Sequence, residues 1–359
     1  HIRFHQPLEC FWQYDLMRPM PRATITDIAA RSGLSTATVD RALNGRSGVS
    51  AVNRHRVMQA ARGLGYLPSL GTMPMPARPA RIALLAPHLD RAFIAQVAET
   101  IRARAAENPL VWSCRVIPLR SLAPEDLQLG IDGLGDVEAV AVIATDTPQN
   151  QTSVNGLVAA GVKVVTLATD LTATARAFYV GVDNHAAGRT AGRITRLLTA
   201  GRSGPVAVYA GSRAFLGHQQ REDGFVRSLK DHARLTVLPT VETHEDAARM
   251  QTAVTAQLRQ TPDLAAIYCV GAGRHGIIDA LKGRADRPAV VMHDLTDASR
   301  LWLETEQIDA IIDQDAQLVG EQAVLHLLGA IAGSPTALGL KQVDPRLILL
   351  ENLPQEGVP

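Results

Sequence analysis

The sequence predicts a small all-α helix-turn-helix headpiece followed by an α/β core of two doubly wound parallel-sheet subdomains. Three observations support this division. Apolar residues between positions 24 and 64 recur at helical spacing. From residue 81 onward, short apolar strands such as IALLAP (82–87) alternate with amphipathic helices. Between the two regions lies a proline-rich linker at 70–80, which marks the boundary.

The stretch from Thr24 to Asn44, TITDIAARSGLSTATVDRALN, predicts two short helices joined by a tight turn. Thr24 and Asp27 have the spacing of a capping box, which begins the first helix. Gly33 provides the backbone freedom that a sharp end requires. Ser35 is placed to cap the second helix.

A third helix follows, capped by Ser50, with Val57, Ala60, Ala61 and Leu64 at i, i+3, i+4 and i+7. Three such helices can bury one core and leave the second helix protruding. This geometry is typical of a helix-turn-helix whose second helix enters the DNA major groove. The alternative is a small three-helix bundle without a DNA-binding role.

Charge favours the DNA-binding interpretation. Residues 22–70 contain seven arginines against Asp27 and Asp40, a net charge of +5. The whole chain carries +1, and residues 1–21 balance, so the rest of the chain carries −4. A basic domain joined to a mildly acidic body is the electrostatic pattern expected of a protein that binds phosphate backbones.

The run T-I-T-D-I-A-x-x-S-G-L-S-x-x-T-V-x-R-A-L-N-G, followed by V-S and L-G-Y-x-P, closely resembles the headpiece of the lactose-repressor (LacI) family of bacterial transcription regulators. The match spans Thr24 to Pro68. The resemblance implies a repressor that binds a near-palindromic operator in double-stranded DNA as a homodimer, with one headpiece per half-site; a tetramer is the alternative. It also implies an effector core similar to a periplasmic sugar-binding protein. The three scattered cysteines fit a reducing, cytoplasmic location.

The second helix contains the predicted DNA-reading residues. Thr36, Ala37 and Arg41 lie outside its apolar stripe, where Arg41 can bind guanine and the other two can meet a thymine methyl group. The predicted phosphate contacts are Ser35, Thr38, Asn44, Ser50 and Arg54. At Asp40 the family commonly has a serine. Three interpretations of Asp40 stay open: acceptance from a cytosine amine, a pair with Arg41, or a pair with Asn44.

The regions flanking the headpiece carry their own expectations. Residues 1–22 lack an apolar run of the secretory-signal kind. We interpret them as a disordered upstream extension or misplaced start, with a basic arm on DNA as the alternative. In the 70–80 linker the resemblance implies a hinge helix with a minor-groove wedge, for which Met75 is the candidate. The linker prolines oppose a helix and predict an extended hinge instead.

In the core, the predicted strands are 82–87, 111–118, 137–144, 162–168, 178–182, 205–211, 235–239, 264–270, 289–295, 308–315 and 347–353. We expect the chain to cross between subdomains near Asp183, His293 and Gln314. The predicted subdomains are 81–182 plus 295–313, and 183–294 plus 314–353.

Ligands of open α/β sheets bind at the carboxyl ends of the strands. Polar and aromatic residues there suit a sugar or polyol. The effector residues predicted from strand ends are Phe93, Asp183 and His218. The resemblance adds Arg221, Asp294 and Gln314. Further residues at strand ends are His88, Asp90, Asp146, Asn184, Arg213, Phe215, Arg274, His293 and Asp315.

Other classes of protein find less support. No apolar run approaches the roughly 20 residues of a membrane span. Three scattered cysteines favour neither a disulfide framework nor a zinc site, and no enzyme motif, metal site or cofactor is expected. Two alternatives are a transport-type sugar-binding protein without a DNA function and a nucleotide-binding protein that uses the G-x-G-x-x-G run Gly271–Gly276.

Overall fold

The computed structural model describes residues 23–43, 46, 48–64, 66, 76, 78–333 and 342–355. The chain divides into two compact units, His1–Ser69 and Leu70–Pro359. The predictions for 1–22, Asn44, Met75 and most of the 70–80 linker lie outside the described residues.

The first unit contains the helices α1 (Ile25–Ser32), α2 (Thr36–Leu43) and α3 (Ala51–Gly63). The predicted capping box is present, since the backbone N–H of Thr24 donates to Asp27 Oδ2 over 2.8 Å. Gly33 ends α1 at a left-handed φ of 68°. Ser35 Oγ accepts from the backbone N–H of Thr38 at 3.2 Å, so the predicted cap of the second helix is confirmed.

One small core holds the three helices together. Ile28 of α1, Val39 of α2, and Val57 and Ala61 of α3 are each 0% exposed. The residues predicted to form the inner faces therefore meet, and the helix-turn-helix prediction is confirmed.

The first sheet of the core is built from parallel strands that alternate with helices. Its elements are β1 (Ala80–Pro87), α4 (Ala92–Glu107), β2 (Val111–Leu119), α5 (Pro124–Asp132), β3 (Ala139–Val142), α6 (Pro148–Ala159), β4 (Lys163–Leu167) and β5 (Phe178–Val180). The strand order is β2-β1-β3-β4-β5. The strands β1, β3 and β4 are almost entirely buried, as expected when helices cover both faces of a sheet.

The second sheet has seven strands, in the order β12-β11-β10-β9-β6-β7 with β8 pairing to β6. Its strands and the helices that follow β5 are α7 (Asn184–Leu198), β6 (Gly204–Ala210), α8 (Leu216–Leu229), β7 (Leu235–Val237), β8 (Val241–Glu242), α9 (Ala247–Gln260), β9 (Ala266–Cys269), α10 (His275–Leu281), β10 (Ala289–His293), α11 (Asp297–Glu304), β11 (Ala310–Asp313), α12 (Ala316–Ile331) and β12 (Arg346–Ile348). β12 is antiparallel to β11. Two doubly wound subdomains are therefore confirmed.

The sheet order corrects the predicted division of the core. β11 pairs in parallel with β10, so 295–313 belongs to the second sheet and no crossing occurs near His293. α12 packs against α4 of the first subdomain, where a Cβ on Gly320 would lie 2.6 Å from Thr100 Cβ. α12 therefore packs with the first subdomain and β12 pairs in the second sheet, so 314–353 is shared between the subdomains. The predicted strand 347–353 is also shorter, because Leu350–Asn352 form a 3-10 helix.

The helices α7 and α8 approach closely at two glycines. A Cβ added to Gly188 would lie 2.1 Å from the carbonyl oxygen of Arg221. A Cβ added to Gly224 would lie 2.3 Å from the carbonyl oxygen of His185. Because the obstructing atoms are backbone, no side-chain rotation can make room.

We expect Gly188→Ala to lower the free energy of unfolding by about 1–3 kcal/mol, because the added methyl group overpacks the contact between the two helices. The matched control is Gly156→Ala on α6, where an added Cβ has no neighbour within 4 Å. That change should stabilise the protein by about 0.5–1 kcal/mol, because alanine favours the helix. Urea unfolding of both variants measures the difference, and equal free energies would contradict the packing argument.

Throughout the described part of the chain, no helix combines the length and hydropathy that a membrane span requires.

Candidate functional site

The outward face of α2 contains the three residues predicted to read DNA bases. Thr36, Ala37 and Arg41 are exposed, whereas Val39 and Ala42 on the same helix are buried. α2 is therefore anchored by one face and leaves the predicted reading face accessible, as groove insertion requires.

The predicted phosphate residues also have roles inside the headpiece. Ser35 caps α2 and its hydroxyl lies 2.9 Å from that of Thr38. Ser50 Oγ accepts from the backbone N–H of Asn53 at the start of α3. Arg54 is half-buried and donates to the carbonyl oxygens of Ala42 at 3.1 Å and Arg46 at 2.9 Å. Arg54 thus holds the carboxyl end of α2, a role that the helical pattern did not indicate.

Asp40 has a partner that the sequence analysis did not name. Its Oδ2 accepts from Arg46 at 3.2 Å, and both side chains remain substantially exposed. An exposed pair of this kind contributes little to stability.

The core has a cleft of about 430 Å³ between the carboxyl ends of its two sheets. Five of the six predicted effector residues line it, namely Phe93, His218, Arg221, Asp294 and Gln314. The cleft also has apolar walls, which include Phe215 and Trp302. This combination of aromatic surface and convergent polar groups is typical of a small-molecule site.

Asp183 is the predicted effector residue that the cleft does not include. Its Oδ1 accepts from the backbone N–H of Ala186 at 2.9 Å, so it caps α7, and its side chain is half-exposed. Among the other strand-end residues, Asp146 binds Thr172 instead, and Asp315 caps α12 through the backbone N–H of Leu318.

Arg221 is the buried centre of the cleft's hydrogen-bond network and is 3% exposed. Its Nε donates to Asn184 Oδ1 at 2.7 Å, and Nη1 donates to the carbonyl oxygen of Val270 at 3.1 Å. Its Nη2 donates to Gln314 Oε1. Three of the five guanidinium N–H groups are thus used to join α7, β9 and the crossing after β11.

The network continues toward Asp294. Gln314 Nε2 donates to Asp294 Oδ1 at 2.6 Å. Arg274 donates to the carbonyl oxygen of Asp294 at 3.0 Å, and its Nη1 lies 3.8 Å from Asp294 Oδ2. The carboxylate and the amide are therefore oriented before any ligand arrives, which reduces the entropy cost of binding.

Glu245 also lines the cleft, although it was not predicted. Its Oε2 accepts from the backbone N–H of Ala272 at 2.9 Å. Burial raises the pKa of this carboxyl above its ordinary value. Glu245 precedes α9 and follows a strand of only two residues, Val241–Glu242, so no recognisable strand end pointed to it.

Backbone strain concentrates around the cleft. His88, Ala168, Glu245 and Asp294 all line it and have positive φ angles of 52°, 59°, 63° and 65°. A left-handed conformation costs a non-glycine residue about 1–2 kcal/mol, so it persists only where the surroundings determine it. Such a concentration is typical of a binding site.

His218, which lines the cleft, and His293, which is fully buried, are both held neutral. Burial, followed by the nearby Arg221 guanidinium, lowers the pKa of His218 to about 3. The same causes lower the pKa of His293 well below its ordinary value. His218 Nδ1–H donates to the carbonyl oxygen of Ser212 at 2.8 Å, and this assignment makes Nε2 an acceptor. His293 Nε2 lies 2.7 Å from the hydroxyl of Tyr268.

We expect the core to lose stability as the pH falls below about 6.5, because the unfolded chain then binds a proton that folded His218 rejects. The stabilising contribution is complete above about pH 6.5 and disappears as the pH approaches the folded pKa of about 3. Between about pH 7 and about pH 5, His218→Gln should therefore lose about 1–2 kcal/mol less than the wild type. Urea unfolding at both pH values measures these free energies. The control is His244→Gln, since His244 is exposed. If the free energy of unfolding depended on pH in the same way for His218→Gln and the wild type, the prediction would be contradicted.

The glycine run Gly271–Gly276 does not form a phosphate cradle. The backbone N–H of Ala272 donates to the Glu245 carboxylate, which would repel a phosphate. A Cβ on Gly276 would lie 2.1 Å from the carbonyl oxygen of Ala247, so this glycine serves the packing of α10 on α9. Elsewhere among the described residues, no group of three or more histidine, cysteine or acidic side chains could hold a metal ion.

Each of the two units of the chain matches a known protein family. The family model for a periplasmic binding protein domain matches residues 82–335, and the model for bacterial regulatory proteins of the lacI family matches residues 24–69. The HTH-type transcriptional regulator MalR of Streptomyces coelicolor is 27% identical over 331 residues, which cover 87% of this chain and 91% of that protein.

Two solved structures of solute-binding proteins each cover about three quarters of the chain. A solute-binding protein from Burkholderia graminis in complex with D-arabinose superposes with a TM-score of 0.70 at 22% identity, over 77% of this chain and 97% of that one. GanP, a glucose-galactose binding protein from Geobacillus stearothermophilus, gives a TM-score of 0.70 at 22% identity, over 77% and 100% of the two chains. At this identity the likeness establishes the fold.

The helix-turn-helix unit and the two-lobed core together define a DNA-binding transcriptional regulator with a periplasmic-binding-protein-like effector domain. The chain belongs to the LacI family of bacterial transcriptional regulators. It is accordingly not an enzyme, and a transport protein without a DNA function would not account for the match at 24–69.

Proposed function

We propose that this regulator is a cytoplasmic repressor that binds a near-palindromic operator as a dimer and is controlled by a neutral sugar or polyol in the cleft. One observation carries the proposal. The Arg221–Gln314–Asp294 network lies in the cleft at the point where the chain crosses from β11 to α12. A ligand that binds these groups therefore contacts the connection between the two lobes.

The charges deep in the cleft favour a neutral ligand. Arg221 and Arg274 provide two positive groups, and Glu245 and Asp294 provide two negative groups. Since these charges balance, an ionic ligand would leave one buried charge uncompensated. Hydroxyl groups can instead donate to carboxylate oxygens and accept from guanidinium N–H groups.

The apolar walls suit the same ligand class. Phe93, Phe215 and Trp302 can cover the carbon face of a sugar ring while the polar groups bind its hydroxyls. The similar solute-binding structures include one in complex with D-arabinose and one described as a glucose-galactose binding protein. These descriptions support a sugar as the first ligand class to test.

Control of DNA binding would follow from lobe closure. The ligand binds the closed arrangement of the cleft more tightly, and closure changes the spacing of the two headpieces in the dimer. Only the difference in ligand affinity between the two arrangements can shift operator binding.

The ligand proposal is tested by thermal unfolding of the full chain with a panel of neutral sugars, polyols and sugar phosphates. We expect one or more neutral members to raise the melting temperature and to change the affinity for operator DNA by a factor of about 5–150. A panel in which only sugar phosphates stabilise the protein, or in which no member does, would contradict a neutral sugar effector.

The DNA proposal makes a separate prediction at Arg41. Duplexes selected from a randomised pool by the wild-type protein should contain two related half-sites. Arg41→Ala should cost about 1–3 kcal/mol on these duplexes and relax the preference at one base position of each half-site. The control is Arg56→Ala, an exposed arginine on α3 that we do not place at a base. Equal losses on selected and scrambled duplexes for Arg41→Ala would remove it from base reading.

A further inference from the structure

Glu245 places a carboxylate in the cleft with half of its hydrogen-bonding capacity unused. Its side chain is 10% exposed. Oε2 is bound by the backbone N–H of Ala272, but Oε1 has no hydrogen-bond partner in the part of the chain that the structure describes. A buried acceptor without a donor costs about 1–3 kcal/mol, and more when it is charged. An unsatisfied acceptor of this kind is therefore a candidate for a hydrogen bond from a ligand.

Two glycines make room for this carboxylate. A Cβ on Gly211, directly after β6, would lie 1.6 Å from Glu245 Oε1. A Cβ on Gly271, shortly after β9, would lie 3.0 Å from the same oxygen. Any larger residue at Gly211 would displace the carboxylate from the cleft. The ends of two strands are therefore shaped around this one side chain.

The backbone that delivers the carboxylate is strained and anchored. His244 and Glu245 are consecutive left-handed residues, at φ of 53° and 63°. On one side, the backbone N–H of Thr243 donates to the carbonyl oxygen of Ala210 at 2.9 Å. On the other, Asp246 caps α9 through the backbone N–H of Arg249 at 2.8 Å. The two anchors hold the turn in a conformation that it would not adopt alone.

The neighbouring basic side chains do not donate a hydrogen bond to Oε1. His218 Nδ1 is 3.9 Å away and directs its hydrogen to Ser212. Arg274 donates to the carbonyl oxygen of Asp294, and Arg91, which precedes α4 of the other lobe, acts on the Glu245 carboxyl through its charge. Burial accordingly raises the pKa of the Glu245 carboxyl, since these interactions do not offset the desolvation.

We propose that Glu245 selects the ligand, with Oε1 accepting a hydrogen bond from a hydroxyl of the neutral sugar or polyol. This inference rests on the proposed function of the cleft. The loop Gly271-Ala272-Gly273 offers the ligand no polar side chain, and Glu245 supplies an acceptor beside it from a different segment. The donor is a hydroxyl, because an ammonium would disturb the balance of the two buried cations and two buried anions.

The test uses the full chain and two variants, Glu245→Gln and Glu245→Ala, with Glu304→Gln as control. Glu304 is a glutamate of α11 that is nearly half-exposed and does not line the cleft. The probes are D-arabinose, D-galactose, myo-inositol, and the matched pair D-glucose and D-glucosamine, measured by titration calorimetry. For any neutral probe that binds the wild type, we expect a loss of affinity of about 10–100-fold in both Glu245 variants and no loss in the control.

A second measurement needs no ligand. Because the ligand-free protein contains an unsatisfied buried carboxylate, Glu245→Gln should raise its melting temperature by about 2–4 °C at neutral pH. A structural role predicts the opposite, a lower melting temperature. Thermal unfolding of the ligand-free proteins therefore separates the two roles even if no probe binds.

The outcomes distinguish this inference from the proposed function. Unchanged sugar affinity in both Glu245 variants, or a ligand-free Glu245→Gln protein that is less stable than the wild type, would overturn the role of Glu245. If D-glucosamine bound more tightly than D-glucose, the conclusion that a hydroxyl rather than an ammonium donates to Glu245 would be overturned. If no probe binds the wild type, the sugar proposal fails, and the stability of the ligand-free variants decides the role of Glu245.

Discussion

Arg221→Ala is expected to lower the free energy of unfolding of the core by more than about 3 kcal/mol. The change removes the donor of three buried acceptors at once, namely Asn184 Oδ1, Val270 O and Gln314 Oε1. Each acceptor that is left without a donor costs about 1–3 kcal/mol, and the missing side chain also leaves a void. The effect is large because the three acceptors belong to three different segments.

The matched control is Arg227→Ala on the same helix, α8. Arg227 is 75% exposed, and its Nη2 lies 4.0 Å from Asp223 Oδ2. Its replacement should change stability by less than about 0.5 kcal/mol. Urea unfolding of the two variants provides the comparison. A loss for Arg221→Ala no greater than that for Arg227→Ala would show that the network does not hold the core together.

Ile28→Ala is expected to unfold the headpiece and abolish operator binding, while the core stays folded. Ile28 is 0% exposed at the centre of the three-helix core. Truncation of a buried isoleucine costs about 2–5 kcal/mol, and a single core of this size seldom supplies more than about 3–5 kcal/mol. The cost of this one substitution is therefore comparable to the whole free energy of unfolding of the headpiece.

The control for Ile28→Ala is Val52→Ala on α3, since Val52 is 44% exposed. Circular dichroism during thermal unfolding should show loss of the headpiece transition in Ile28→Ala and its retention in Val52→Ala. The core transition should occur at the wild-type temperature in both variants. Operator binding by Ile28→Ala at wild-type affinity, or loss of the core transition, would contradict the independence of the two units.

The headpiece was predictable almost completely because its signals are local. The capping box at Thr24 and Asp27, the left-handed Gly33 and the cap at Ser35 are interactions over three or four residues. Arg54 was the exception. Its bonds to Ala42 and Arg46 span 12 and 8 residues, and helical spacing does not report on contacts over such distances.

The strands of the core were located well, but three of its helices have only weak signals in the sequence. α5, α6 and α11 are short or weakly amphipathic, and they are stabilised by the sheets that they cover. The division into subdomains was incorrect for a different reason. An apolar run predicts a strand without naming its neighbour, so the pairing of β11 with β10 could not be read from 308–315.

Position at a strand end was sufficient to place several residues at the cleft. Strand-end residues such as Phe93 and His218 line it, because the carboxyl ends of parallel strands meet at one edge. Asp183 caps α7 and does not line the cleft. The sequence could not show this, because an aspartate before a helix can serve as a cap or as a ligand contact. Glu245 was missed because its position depends on two successive left-handed residues, for which neither His244 nor Glu245 has a sequence signature.

Residue order alone determined the class of this regulator, the three helices of its headpiece and the edge of the sheets where a ligand binds. These features depend on caps, periodic burial and strand ends, which are encoded within a few neighbouring residues. The tertiary structure decided which polar groups meet in the cleft. Arg221, Glu245, Asp294 and Gln314 come from four separate segments, and only the order of the strands and the burial around them bring these groups together in one cleft.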